Sequence, residues 1–164
     1  MSLKTNLLVV FFLPVLCFAQ NFELKIPDIR KIENTRTEGK YHNEDIYTYL
    51  MLNYKPVSEK IDIKYLDFPD YNMCSFAQNF EYGITYFTDS CIEAGGEIVR
   101  VTFPKIPKEE LTAWIEKIYN NNETIKNYWS KDKLSYVPEG EGAGCHYKII
   151  EGENKWTVEV YCGC

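Results

Sequence analysis

Apolar and polar residues alternate in three stretches of the chain, which is the pattern of a strand with one buried face. The three stretches are residues 60–66, 82–88 and 97–103. The residues expected to point inward are Ile61, Ile63, Tyr65, Ile84, Tyr86, Val99, Val101 and Phe103. We therefore predict three half-buried strands in the middle of the chain.

A helix is predicted directly after the third of these strands, over residues 107–119. Pro107 suits the first helical position, and Glu109 and Glu110 place carboxylates at the positive end of the helix dipole. The apolar residues of this stretch recur at helical spacing and form one continuous stripe. They are Leu111, Trp114, Ile115, Ile118 and Tyr119. The asparagines at 120–122 predict the end of the helix, because Asn tolerates the left-handed conformation of a helix cap.

The last two strands, residues 145–150 and 155–161, are expected to form a hairpin. If Ile150 pairs with Lys155 across a four-residue loop, the apolar side chains of both strands share one face. That face contains Cys145, Tyr147, Ile149, Trp156, Val158 and Val160. A slip of one strand by one residue would mix polar residues into this face, so the first register is preferred.

Four further stretches carry weaker patterns. Apolar and polar residues alternate over residues 22–26, which can form a strand. Residues 34–40 are expected to be a loop. Residues 43–54 stay open between helix and strand, because the spacing is helical but the Tyr, Thr and Ile content favours a strand. A hairpin of this stretch with residues 60–66 is slightly preferred. A second short helix is predicted from the spacing of Ile125, Tyr128 and Trp129.

These elements predict an α+β fold. In the order of the chain from residue 82, the pattern is strand, strand, helix, short helix, strand and strand. The helix stripe and the inner faces of the strands are all strongly apolar, so packing one layer on the other buries both. We expect an antiparallel sheet of hairpins packed on one main helix, at about residues 107–120, with a second short helix.

The first residues of the chain are typical of a secretory signal. Lys4 is followed by an unbroken apolar run over residues 7–19, which as a helix would span about 20 Å, less than the roughly 30 Å of a bilayer core. The run ends on the small residue Ala19, as a cleavage site requires. We therefore expect a cleavable signal peptide over residues 1–19 and a single exported domain over residues 20–164.

Charge restricts the partners of this domain. The formal net charge of the chain is −6, and the acidic residues are not clustered. Such a surface disfavours nucleic acid and anionic membranes. No second apolar run approaches the length of a transmembrane helix. The expected partner is a protein or a small-molecule ligand, and neither nucleic acid nor a transmembrane segment is predicted.

Cysteine usage agrees with export, because an oxidising compartment favours disulfides. Cys17 lies in the predicted signal, where Leu16 is larger than the residue that a lipoprotein signal places before its cysteine, so lipid anchoring is not expected. The other cysteines are Cys74, Cys91, Cys145, Cys162 and Cys164, an odd number. We predict the disulfides Cys145–Cys162 and Cys74–Cys91. The spare thiol is assigned to Cys164, because chain ends fray and a neighbouring carboxylate disfavours the thiolate.

Two arrangements of these cysteines suggest chemistry. Cys145 and His146 are adjacent, but neighbours on a strand point to opposite faces, so this imidazole does not activate this thiol. Cys145, Cys162 and Cys164 are possible ligands for copper(I) or zinc, although oxidation to a disulfide would remove them. No catalytic residue, metal ligand or cofactor is therefore predicted.

The expected function is that of a small exported binding or inhibitory protein without catalysis. A thiol-redox or metal-binding protein that uses the C-terminal cysteines is one alternative, and a structural component of the cell envelope is another. Aromatic residues outside the predicted buried faces could form a recognition surface. They are Tyr54, Tyr71, Tyr128, Trp129 and Tyr136. Asn122 begins a glycosylation acceptor sequence, which matters only in a eukaryotic source.

Overall fold

The architecture follows from a computed structural model, which describes residues 22–37, 45–65, 73–90, 96–119, 125–140 and 143–163. Within these ranges there are three α-helices: α1 (Ile29–Thr37), α2 (Asp45–Asn53) and α3 (Lys108–Tyr119). The strands are β1 (Ile61–Tyr65), β2 (Met73–Asn79), β3 (Thr85–Asp89), β4 (Glu97–Pro104), β5 (Asn127–Trp129), β6 (Ser135–Pro138), β7 (Gly144–Glu151) and β8 (Lys155–Gly163). None of these helices is long and apolar enough to cross a membrane.

All eight strands belong to one antiparallel sheet, in the order β1-β2-β3-β4-β8-β7-β6-β5. The α+β class therefore agrees with the prediction. The sheet is wider than the predicted arrangement of hairpins on one main helix. Helices α1 and α2 also add to the helical layer. Strands β4 and β8 lie at its centre, whereas β1 and β5 form its edges.

The helices pack on a single face of this sheet, and aromatic rings fill the space between the layers. The ring of Tyr47 in α2 lies 5.2 Å from Phe76 and 5.0 Å from Tyr86, measured between centroids. On α3, the ring of Trp114 lies 5.1 Å from Phe103. Because the three sheet residues point to the same face, α2 and α3 lie side by side over it.

The helix after the third predicted strand is confirmed as α3. It begins at Lys108, directly after Pro107, and ends at Tyr119. Its predicted apolar stripe is buried throughout: Leu111, Trp114, Ile115, Ile118 and Tyr119. The inward residues predicted for β4 are buried as well: Val99, Val101 and Phe103.

The register of the final hairpin differs from the prediction by two residues. The N–H of Gly152 donates to the carbonyl of Lys155 at 2.9 Å, which leaves two residues in the turn rather than four. Ile150 consequently pairs with Thr157. A shift of two residues keeps every side chain on its own face of a strand, so the predicted apolar face is unchanged.

The slight preference for a strand over residues 43–54 is wrong, since α2 occupies residues 45–53. Five consecutive residues of this helix, 46–50, are buried. The helical spacing is present in the sequence, but the Tyr, Thr and Ile content favours a strand, and burial in the tertiary structure overrides that preference. The sheet lies against Tyr47, while Trp114 of α3 lies 5.4 Å from the ring of Tyr49.

Three other local predictions also need correction. The second short helix predicted around residues 125–129 is strand β5, because its backbone pairs with β6. Residues 22–26 form no regular strand, and residues 34–37 belong to α1 rather than to a loop. The conformation of β5 therefore depends on its pairing with β6, which the spacing of its own residues does not indicate.

Strand β1 is correctly predicted, but its buried face is not. Ile61 is 56 % exposed and Ile63 is 48 % exposed. The neighbouring Lys60 instead lies over the core, with its amine 4.7 Å from the ring centroid of Tyr47 and 4.5 Å from that of Phe76. A lysine can cover apolar rings with its stem, and burial lowers the pKa of Lys60. The sheet edge is therefore closed by a cation over aromatic rings.

Candidate functional site

The cysteines form cross-links near one end of the sheet. The sulfur atoms of Cys145 and Cys162 lie 2.06 Å apart, at disulfide distance. These residues face each other directly, with Cα atoms 4.1 Å apart, whereas the predicted pairing of Ile150 with Lys155 would have placed Cys145 opposite Val160. Cys74 is also disulfide-bonded, whereas its predicted partner Cys91 and the predicted spare thiol Cys164 lie outside the described residues. A cross-linked sulfur is not available as a nucleophile or a metal ligand.

His146 has no catalytic arrangement with its neighbour Cys145. Its ring lies 6.2 Å from the ring of Tyr161, which is on the sheet face opposite the helices. Among the residues that the structure describes, no group of three or more His, Cys, Asp or Glu side chains is placed to hold a metal ion. Among the described residues, Cys145, His146 and Cys162 therefore form no reactive centre.

The aromatic residues that were candidates for a recognition surface do not form a common patch. Tyr54 and Tyr136 are buried, and Trp129 is half-buried with its ring 4.7 Å from that of Tyr136. Tyr128 is 50 % exposed, and Tyr71 lies outside the described residues. Most of this set packs in the core, so the expectation of an aromatic surface is wrong for Tyr54 and Tyr136.

The sheet face opposite the helices is a second possible surface, but its polar groups pair with one another. Arg100 donates to the carboxylate of Glu159 at 2.6 Å and lies 5.4 Å from the ring centroid of Phe87. The hydroxyl groups of Thr102 and Thr157 lie 3.0 Å apart. Such cross-strand pairs are ordinary features of a solvated sheet face. A stronger candidate lies on the helical side.

That candidate begins with residues 22–28, which we call the anchored segment. Two tyrosines of the α2 region hold its backbone. The Tyr49 hydroxyl donates to the carbonyl of Lys25 at 2.7 Å, and the Tyr54 hydroxyl donates to the carbonyl of Glu23 at 3.1 Å. The N–H of Lys25 donates to the same Tyr54 oxygen at 3.1 Å. The backbone of residues 23 and 25 is therefore bound on one side.

Burial controls the chemistry of these two hydroxyl groups. Removal from water raises the pKa of Tyr49 far above its ordinary value, because a buried phenolate would lose its hydration. The pKa of Tyr54 is raised for the same reason. Both groups consequently stay protonated in the folded protein and act as hydrogen-bond donors to the anchored segment.

The ends of the anchored segment are held in other ways. The Phe22 ring stacks on Phe103, with centroids 6.2 Å apart. The amine of Lys25 donates to the carbonyl of Asn53 at 2.8 Å. At the other end, the carboxylate of Asp28 accepts the N–H of Lys31 and caps the first turn of α1. The segment is thereby fixed at several points along its length.

A groove of about 590 Å³ separates the anchored segment from α3. Residues 23–27 form one wall, and the other wall consists of Glu110, Ala113, Trp114 and Lys117. This volume lies within the range of roughly 300–1,000 Å³ that is usual for ligand pockets. The groove is therefore large enough for a small molecule or a few residues of a peptide.

The groove combines an apolar floor with charged ends. Leu24 and Trp114 are buried beneath it, while Ile26 on its rim is 83 % exposed. The side chains of Glu110 and Lys117 form no ion pair or hydrogen bond within the described part of the chain. An apolar centre with a few free polar groups is the usual composition of a binding site.

Sequence patterns alone did not lead to this groove. The alternation of residues 22–26 indicated an extended segment, but not that tyrosines of α2 would hold it. On α3, Ala113 lies on the face that the apolar stripe leaves to solvent. A small residue in an otherwise charged helix face is a weak signal, because such residues also occur with no function.

No protein-family model, curated protein or solved structure matches this chain.

Proposed function

We propose that this protein is an exported, non-catalytic binding protein that takes up the apolar part of a ligand in the groove between the anchored segment and α3. The groove itself is the observation that carries this proposal. Its floor and rim offer apolar surface, and Glu110 and Lys117 are free to contact polar groups of a ligand. Surface of this kind gains free energy when a ligand removes it from water.

Rigidity of the walls supports a binding role. The anchored segment is fastened by the hydroxyl groups of Tyr49 and Tyr54, and α3 is fixed by its buried stripe. A preformed site avoids the entropic cost of ordering its walls when the ligand binds. The groove therefore offers a preorganised surface rather than one that must fold around a ligand.

Export is part of the same proposal. The predicted signal over residues 1–19 lies outside the described residues, and the support comes from the cross-linked Cys145 and Cys162. Disulfides persist in secreted and periplasmic proteins and are rare in the cytosol. The metal-binding and thiol-redox alternatives have less support, because those two cysteines are engaged with each other. The envelope alternative does not depend on these cysteines, and the groove is the observation that favours binding over it.

The test uses the dye 1-anilinonaphthalene-8-sulfonate, which joins an apolar ring system to an anion. Titration of the folded full chain should show saturable fluorescence enhancement at one site. Ala113→Trp, which fills the groove, should weaken the dye affinity by at least about tenfold, equivalent to roughly 1.4 kcal/mol. Circular dichroism and thermal melting must show that the variant is folded.

The matched control is Glu109→Trp. Glu109 is exposed on the same helix but does not line the groove. This variant should bind the dye like the unmodified protein. Equal affinities for all three proteins, or no binding to the unmodified protein, would contradict the proposed site.

A further inference from the structure

One wall of the groove has the properties of an unpaired strand edge. In an extended chain, the N–H and C=O groups of successive residues point to opposite edges. The groups of residues 23 and 25 bind the tyrosine hydroxyls. The intervening Leu24 and the following Ile26 make no backbone hydrogen bond with the residues that the structure describes. Leu24 and Ile26 both line the groove, so their backbone donors and acceptors lie beside it without a partner among the described residues.

The opposite wall has a length that suits a short extended peptide. Glu110, Ala113, Trp114 and Lys117 recur at i, i+3, i+4 and i+7, so they form one stripe along α3. Seven residues of helix rise about 10 Å, which corresponds to roughly three residues of extended chain at about 3.3 Å each. Ala113 lies in the middle of the stripe, where its small side chain leaves room for a peptide.

The two charges on the α3 wall of the groove specify what the ends of that peptide carry. Glu110 and Lys117 stand two helical turns apart, too far to pair with each other. Neither has another charged partner within the described residues. A ligand with a basic group at the Glu110 end and an acidic group at the Lys117 end would complement both charges. Apolar residues between them would lie over Ala113 and Trp114.

We propose that the groove binds an extended segment of a partner protein, which adds as a strand to the anchored segment at Leu24 and Ile26. The segment has about three apolar residues between a basic and an acidic residue. Addition of a peptide strand to an exposed backbone edge, with side chains read by flanking elements, is a recurrent mode of recognition. This inference rests on the proposed function, because it names the ligand of the same groove.

The probe is the synthetic peptide acetyl-Lys-Val-Ile-Val-Glu-amide, titrated into the folded full chain by calorimetry and by displacement of the naphthalene dye. Two N-methylated versions are compared, one carrying methyl groups on the first, third and fifth amides and one on the second and fourth. Only one alternating set of amides can face the anchored segment. We expect one version to lose affinity by at least about tenfold, because lost backbone hydrogen bonds have that order of effect. The other version should bind like the unmodified peptide.

A charge exchange tests the ends of the groove. Lys117→Glu should weaken binding of the peptide by at least about tenfold. A peptide with lysine at both ends should bind this variant better than it binds the unmodified protein. Lys131→Glu, at an exposed turn away from the groove, is the matched control and should change neither affinity.

The outcomes separate this inference from the proposed function. If the dye binds and every peptide fails, or if both methylated versions bind equally well, strand addition is overturned while the groove remains a ligand site. If neither dye nor peptide binds, both proposals fail. If the peptide binds equally well to the Ala113→Trp protein, the peptide lies elsewhere and the inference is wrong.

Discussion

Tyr49 shows how one buried hydroxyl group connects stability with the groove. Its hydroxyl holds the carbonyl of Lys25 and lies 3.2 Å from that of Tyr54. The bond to the anchored segment spans 24 residues of sequence, so it fastens one wall of the groove to α2. Loss of this hydroxyl would affect both the free energy of unfolding and the position of that wall.

The raised pKa of Tyr49 predicts a loss of stability at alkaline pH. A group with a higher pKa in the folded than in the unfolded protein contributes its full stabilisation below the unfolded value, near pH 10. That contribution is lost as the pH rises from there toward the folded pKa. The free energy of unfolding should therefore fall by up to about 1.4 kcal/mol per pH unit for each such tyrosine.

Tyr49→Phe tests this prediction. At pH 7 the variant should be less stable by about 1 kcal/mol, because the Lys25 carbonyl loses its partner. Above pH 10 its stability should fall less steeply than that of the unmodified protein, as measured by urea unfolding at a series of pH values. The exposed Tyr161 supplies the control Tyr161→Phe, which should leave the slope unchanged. Parallel slopes for Tyr49→Phe and the unmodified protein would refute the argument.

At the scale of elements, the turn between β5 and β6 carries local strain. Lys133 has φ = 54°, in the left-handed region that side chains disfavour. Its N–H donates to the carbonyl of Ser130 at 2.9 Å. The carboxylate of Asp132 accepts the Ser130 hydroxyl, which lowers the pKa of Asp132, and it also accepts the N–H of Leu134. These bonds hold the turn although the backbone at Lys133 is unfavourable.

Lys133→Gly should therefore stabilise the protein. Relief of the left-handed strain, which is about 1–2 kcal/mol, exceeds the entropic cost of glycine, about 0.5–1 kcal/mol. We expect a net gain of about 0.5–1 kcal/mol in the free energy of unfolding, measured by chemical denaturation. Lys131→Gly in the same turn, where φ is not positive, should instead lower that free energy. A loss of stability in both variants would show that the strain is not relieved.

At the scale of the whole molecule, the central strands of the wide sheet have more neighbours and more buried residues than the edge strand β1. Strands β4 and β8 have a neighbour on each side, and Val101 and Val158 on them are fully buried. At one edge, β1 pairs with β2 and with no other described strand, through an irregular register, and exposes Ile61 and Ile63. Regions with few buried apolar contacts open with less free energy than the core.

Amide hydrogen exchange should reproduce this order. We expect peptides from β4 and β8 to exchange at least about tenfold more slowly than those from β1 and β5, because the edges open locally while the centre requires global unfolding. Mass spectrometry of exchange in the full chain provides the measurement. If the amides of β1 exchanged as slowly as those of β4, the β1 edge would open no more easily than the centre, and the prediction would be wrong.

The pattern of apolar residues is sufficient to predict the elements that bury one face and expose the other. In α3, β4 and the final hairpin, the spacing of apolar residues records which side meets the core, so both element type and inward face follow from the pattern. The pairing of apolar faces in β7 and β8 also placed Cys145 and Cys162 on one side. These properties are local, because periodicity alone separates the inside of such an element from its outside.

Features that depend on neighbours from distant parts of the chain can be read only from the folded protein. Helix α2 has helical spacing in its sequence, but its Tyr, Thr and Ile residues favour a strand, and packing against the sheet and α3 overrides that preference. The two-residue turn of the final hairpin shifts the register by two residues from the predicted one. The apolar pattern cannot reveal this shift, because each side chain stays on the same face of its strand. The groove exists because Tyr49 and Tyr54 bind a segment 24 to 31 residues earlier. Hydrogen bonds of that range leave no periodic trace in a sequence, since they depend on the fold that brings their partners together.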